Sequence, residues 1–170
     1  MLKVLIADDE EKICQLIIKL INWEEMGLKI AATASNGIEA LEQAKICKPE
    51  ILITDIRMPG IDGMELIRKV KEKLPDTEII IIRGYRHFEY AQTAIRYGVR
   101  NYLLKPIKKE ELRDTLQKIA DIYREKNEQL NFEERVRLAL KNDAGKLRTS
   151  FISRMIYGEF TFGSIIGKKR

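Results

Sequence analysis

Leu2-Lys3-Val4-Leu5-Ile6-Ala7 passes directly into Asp8-Asp9-Glu10. A short, nearly continuous apolar run suits a strand covered on both faces of a parallel sheet, because crossover helices shield it from water above and below. The chain then switches to helical spacing, with Ile13, Leu16, Ile17, Leu20 and Ile21 expected inward, and returns to a strand over Leu28–Ala34. Asn36 is placed to cap a helix that turns Ile38, Leu41 and Ala44 inward. The alternation continues with Ile51–Thr54 as strand, Met64–Val70 as helix, Glu78–Ile82 as strand, Phe88–Tyr97 as helix and Val99–Leu104 as strand; Glu110 begins a final helix. Five β/α units in this order predict a doubly wound, five-stranded parallel α/β sheet with right-handed crossovers. In such sheets ligands sit at the carboxyl ends of the strands, which selects the residues to examine.

At the end of the first strand stand Asp8, Asp9 and Glu10, at the end of the third Asp55, and at the end of the fifth Lys105 followed by Pro106. If these strands lie side by side, carboxylates and one ammonium share an edge. Helix N-termini favour acids, which accounts for Glu10 and Glu11 but not for Asp55. Asp55 closes an apolar run and precedes the turn-rich Arg57-Met58-Pro59-Gly60-Ile61-Asp62-Gly63, so its carboxylate is expected on an exposed rim. An all-oxygen cluster suits Mg²⁺, which takes one or two carboxylates and a phosphate oxygen. An Asp is also a nucleophile able to form an aspartyl phosphate, and Lys105 would hold the phosphoryl group.

Composition narrows the classes. The chain has 170 residues, 45% apolar and 34% charged, with ten Gly and four Pro, which fits one compact domain with some chain left over and excludes a low-complexity polymer. No apolar run approaches a bilayer span and Met1–Ala7 leads into acids, so a cytoplasmic protein without membrane contact is expected. Cys14 and Cys47 show no metal or redox spacing and read as reduced packing residues. The net charge of +5 comes from the tail: residues 1–121 carry 20 basic and 20 acidic side chains, residues 122–170 carry 11 and 6. The main domain is therefore not marked as a nucleic-acid binder. His87 lacks a nucleophile partner, Trp23, Tyr90 and Tyr97 read as packing residues, and the glycines form no nucleotide-binding loop.

The motifs resemble those of the receiver domains of two-component response regulators, over roughly residues 1–121: Asp8-Asp9-Glu10, Asp55 within Ile53–Pro59, Gly63 opening the third helix, and Leu104-Lys105-Pro106. The resemblance implies a flavodoxin-like fold and no enzyme in the ordinary sense. It implies Asp55 as phosphoacceptor, and Asp8, Asp9, Asp55 and the Arg57 backbone carbonyl as the Mg²⁺ ligands. Lys105 becomes the phosphoryl contact and Tyr102 the switch aromatic. The implied partner is a sensor histidine kinase, with signalling through the helix expected over Phe88–Tyr97, the fifth strand and the final helix. One position departs from the family pattern. Where Ser or Thr is the rule after the fourth strand, this chain has Arg83. Either Arg83 swings into solvent, or its guanidinium pairs with Asp55 or a neighbouring acid; the alternative function is then a degenerate or stand-alone receiver whose phosphorylation-dependent switching is weakened, acting by protein–protein interaction.

Past Glu110 the helical pattern continues, with Leu112, Leu116, Ile119, Tyr123 and Leu130 in an approximate heptad interrupted by Lys126. The reading is either a helix folded back on its own domain or a weak dimerisation seam, and a homodimer is expected. The expected organisation is a receiver over 1–121, an extended helix or linker over 122–142, and the start of a truncated output region over 143–170. That region holds a short helix around Leu147–Ile156 and a poorly ordered end over Thr161–Arg170. Asn22-Trp23, Gly84-Tyr85, Phe88-Glu89-Tyr90-Ala91 and Tyr102–Ile107 resemble receivers that precede AraC-type DNA-binding domains, so DNA contact is expected only through a domain absent from this chain. Two other classes stay open. A flavin-binding flavodoxin would need a Ser/Thr/Gly-rich phosphate loop where the acids stand. An aspartyl-phosphate phosphohydrolase would need an acid where Arg57 stands.

Overall fold

A computed structural model of the protein describes residues 1–84, 97–99 and 101–142. Two compact units divide the chain, Met1–Tyr123 and Arg124–Arg170. The first unit is built on five parallel strands: β1 (Leu2–Ala7), β2 (Leu28–Ala34), β3 (Ile51–Thr54), β4 (Glu78–Arg83) and β5 (Asn101–Leu104), in the spatial order β2-β1-β3-β4-β5. The helices are α1 (Glu11–Leu20), α2 (Gly37–Cys47), α3 (Gly63–Lys73) and α4 (Lys109–Asn142). The doubly wound five-stranded α/β fold expected from the sequence is the one observed. The helix expected over Phe88–Tyr97 falls almost wholly outside the described residues, as do His87, Tyr90 and everything expected of residues 143–170.

Period-two alternation divides the strand residues between two cores. Val4, Ile6, Ile51, Ile53, Ile80 and Ile82 face one side and pack with Ile17 of α1 and Leu112, Leu116 and Ile119 of α4. Leu5, Ala7, Leu52, Ile79 and Ile81 face the other and pack with Ala40 and Ala44 of α2 and Leu66, Ile67 and Val70 of α3. Both faces are covered, which is why these strands read as continuous apolar runs. Each fully buried Ile or Leu contributes roughly 1.5–3 kcal/mol, so the sheet centre is the stability reservoir of the domain.

Two expectations need correction. Leu16 is 41% and Ile38 50% exposed, because α1 and α2 lay narrower stripes on the sheet than their apolar residues offer. β5 does not adjoin β3; β4 lies between them. Of the two readings of the final helix, the folded-back one holds for Leu112, Leu116, Ile119 and Tyr123, which pack against the core of their own unit, while Leu130 is 53% exposed. Asn36 does cap α2, its side chain accepting a hydrogen bond from the Glu39 N–H at 2.9 Å. Among the described residues no helix is long and apolar enough to cross a membrane.

Candidate functional site

Backbone hydrogen bonds continue past the strand ends and fix the residues beyond them. The Asp8 N–H donates to the Ala34 carbonyl at 3.1 Å, the Asp55 N–H to Ala7 at 3.0 Å and the Lys105 N–H to Arg83 at 2.6 Å. Asp8, Asp55, Arg83 and Lys105 are thereby held on one edge of the sheet. The Lys105–Pro106 peptide bond is cis. α3 closes against the same edge through Gly63, whose N–H donates to the Ile56 carbonyl at 2.7 Å. A Cβ on Gly63 would lie 2.1 Å from the Asp55 carbonyl oxygen, so only glycine permits this approach.

Asp55 is 8% exposed, in place of the exposed rim position expected for it. Its Oδ1 accepts from the Ile56 N–H at 2.5 Å and from the Arg57 N–H at 3.3 Å, while Oδ2 receives the Lys105 ammonium at 2.9 Å. The first residues after the strand and the lysine across β4 thus orient the carboxylate together. Asp8 is 2% exposed; its Oδ1 accepts from the Glu10 N–H at 2.9 Å and its Oδ2 lies 3.0 Å from Lys105 Nζ. Glu10 Oε1 adds a third carboxylate contact to Lys105 at 3.3 Å. The sequence reading placed Glu10 both in the strand-end acidic cluster and at a helix terminus that favours acids, and the structure brings it to the cluster.

Burial pushes the Asp8 carboxyl above the ordinary carboxylate range, against the lowering influence of the Glu10 N–H and Lys105. Burial works to lower the Lys105 ammonium, but hydrogen bonds and charge from Asp55 and Asp8 outweigh it and hold Lys105 above the usual lysine range. Lys105 is therefore charged at any physiological pH. Cys14, buried with Sγ 3.8 Å from the Asp8 carbonyl, has its thiol pushed up by burial, as does half-buried Cys47, which fits their reading as inert packing residues.

Asp8, Asp9 and Asp55 each offer a carboxylate oxygen within 4.8 Å of the others. Two of these carboxylates are buried and one exposed, an oxygen-only donor set that fits a hard divalent cation keeping part of its water shell. A cavity of about 300 Å³ opens beside them, lined by Asp9, Glu10, Asp55, Arg57, Arg83, Gly84 and Lys105. Arg83, 4% exposed, belongs to this lining and does not swing into solvent. Tyr102 on β5 is half-buried, packs against the core on the α2/α3 side, and its hydroxyl has no hydrogen-bond partner among the described residues.

Comparison with known proteins agrees with this arrangement. The response regulator receiver domain family matches residues 4–117. The chain is 40% identical over 139 residues to the uncharacterized transcriptional regulatory protein YesN of Bacillus subtilis (strain 168), covering 78% of this chain and 38% of that protein. It is 39% identical over 107 residues to the transcriptional regulatory protein HptR of Staphylococcus aureus (strain N315), covering 63% and 42%. The chain thus spans less than half the length of these relatives. Among solved structures, the receiver domain of AraT, a response regulator from Geobacillus stearothermophilus, superposes with a TM-score of 0.71 at 41% identity, covering 74% of this chain and 98% of that one. A two-component transcriptional regulator AraC from Clostridium phytofermentans gives a TM-score of 0.67 at 35% identity, covering 71% and 94%. A fold with its acids and its lysine on one strand edge, matched over most of the described sheet and helices, makes this chain a member of the response regulator receiver domain family.

Proposed function

We propose that the chain is the phosphoacceptor receiver of a two-component signalling system, taking a phosphoryl group on Asp55 from the phosphohistidine of a sensor histidine kinase. The observation that carries this reading is the Lys105 ammonium on Asp55 Oδ2 beside the Asp8–Asp9–Asp55 oxygen cluster. An Asp55 carboxylate oxygen forms the new P–O bond as the donor P–N bond breaks. The electron pair leaves with the imidazole, which keeps the proton on its other nitrogen and departs neutral. Lys105 holds a phosphoryl oxygen through a charge-assisted hydrogen bond. Asp8, Asp9, Asp55 and the Arg57 carbonyl would hold Mg²⁺, which when bound supplies charge neutralisation to the transferring oxygens.

Phosphorylation would then bias a pre-existing equilibrium of the face to which β5, with Tyr102, and α4 contribute. Residues 1–121 act as the receiver, 122–142 as linker helix, and 143–170 as the start of an output region that controls transcription through a DNA-binding domain outside this chain. The chain acts in the cytoplasm as a substrate of its kinase and not as a turnover enzyme.

Intact mass after incubation with Mg²⁺ and acetyl phosphate tests the acceptor chemistry. One phosphoryl adduct is expected, and none for Asp55→Asn, whose amide oxygen still accepts from Ile56 and Arg57 so that the fold is kept. Label on the Asn variant would show that another residue is the acceptor.

A further inference from the structure

β4 presents Ile79, Ile80, Ile81 and Ile82, each at most 1% exposed, and then Arg83 at 4%. Taking a guanidinium out of water is costly unless charge compensates it, so its location matters. Arg83 borders the cavity that also meets Asp9, Glu10, Asp55 and Lys105. The strand order explains why: β4 lies between the strand that delivers Asp55 and the strand that delivers Lys105, and the Arg83 carbonyl accepts the Lys105 N–H. Along this edge β1 brings Asp9 and Glu10 to the cavity, β3 brings Asp55, and β4 and β5 bring the fixed cations Arg83 and Lys105, of which Lys105 reaches back to Asp55, Asp8 and Glu10. A divalent cation is drawn to the carboxylates and a phosphoryl dianion to the two cations.

Resting on the reading of Asp55 as acceptor, we infer that Arg83 contacts the phosphoryl group carried by Asp55, sharing its oxygens with Lys105 and assuming part of the charge neutralisation otherwise left to the metal. A guanidinium offers five N–H donors in a planar fork, against the single donor of a hydroxyl at this position. With acetyl phosphate as donor, an Asp55 oxygen forms the new P–O bond, the donor P–O bond breaks, and its electron pair leaves with acetate; no proton moves. Negative charge on the three transferring oxygens then faces Lys105 on one side and Arg83 on the other. The same guanidinium repels Mg²⁺ from the neighbouring carboxylates. Arg83 thus trades cation affinity for oxyanion affinity, and the two effects act on different ligands and are separately measurable.

The test uses the full chain and the variants Arg83→Ala, Arg83→Gln, Arg83→Lys and Arg83→Ser, each checked for folding by thermal melts. Gln keeps most of the side-chain volume and covers the case in which Ala does not fold. Mg²⁺ affinity is measured by calorimetry on unphosphorylated protein, beryllofluoride affinity at saturating Mg²⁺ by NMR titration, and labelling rate by intact mass with acetyl phosphate. The neutral variants should bind Mg²⁺ several-fold more tightly, yet bind beryllofluoride about ten-fold more weakly and label more slowly, with Lys retaining most of the wild-type behaviour. Beryllofluoride affinity unchanged or increased in Ala, Gln and Ser would overturn the inference, and an increase would establish Arg83 as an obstruction that weakens switching. If wild-type protein and Asp55→Asn are equally inert to beryllofluoride and acetyl phosphate, the acceptor reading itself fails, an outcome distinct from any difference among the Arg83 variants.

Discussion

The Lys105 ammonium lies 2.9 Å from Asp55 Oδ2, and the two residues come from strand ends separated by the whole width of β4. One cation thereby compensates Asp55, Asp8 and Glu10 together, with contacts of 2.9, 3.0 and 3.3 Å.

Lys105→Met should leave two buried carboxylates facing each other. We expect a stability loss of about 1–3 kcal/mol in metal-free protein, moderated because Glu10 lies at the solvent edge. Mg²⁺ should then raise the melting temperature of the variant more than that of wild type, since no ammonium competes for the carboxylates. Equal Mg²⁺-induced shifts would contradict this account of the cluster.

Gly63→Ala probes the contact between α3 and Asp55. The added methyl would collide with the Asp55 carbonyl at 2.1 Å and the Ile56 Cα at 2.7 Å, both backbone atoms that cannot rotate away. Overpacking of this kind costs about 1–3 kcal/mol, and it should also slow labelling of Asp55 by displacing its backbone. Chemical denaturation and acetyl phosphate labelling of the same variant check both parts.

The Tyr123 hydroxyl fastens α4 to the opposite end of the sheet, donating to the Glu50 carbonyl at 3.1 Å and to the Asp76 carbonyl. Burial, with the charges of Glu78, Glu50 and Asp76, pushes this phenol up to about 12 from an ordinary 10.0. Its folded value lies above its unfolded one, so the stability it contributes is complete below about pH 10 and is lost as pH rises toward 12. Tyr123→Phe should cost about 1 kcal/mol at neutral pH and remove this part of the alkaline destabilisation. Urea melts of both proteins at about pH 8 and about pH 11, which bracket the unfolded phenol, make the comparison.

Self-association is expected through the second unit, where Leu130, the last apolar position of the heptad, is 53% exposed on α4. One exposed apolar position makes a thin seam, so the dimer should be weak and concentration-dependent in sedimentation. Leu130→Glu should shift the equilibrium to monomer. A monomer at every concentration in the unsubstituted protein would remove the seam from consideration.

The positions of β1, β3 and β4 were legible because strands buried on both faces leave a continuous apolar signature, and the strand-end rule then pointed to Asp8, Asp9, Asp55 and Lys105 without any knowledge of contacts. The Asn36 cap was legible for a local reason: its hydrogen bond spans three residues. The exposure of Leu16 and Ile38 was not, since periodicity tells which residues share a helix face but not how much of that face a neighbour covers. The depth of Asp55 was hidden for the same reason, because α3 reaches it only through the close approach at Gly63. Strand order decided the rest. A sequence lists strands in chain order, whereas crossover connections place β4 between β3 and β5, and that placement turns Arg83 from a residue at a loop's start into a buried cation lining the same cavity as Asp55.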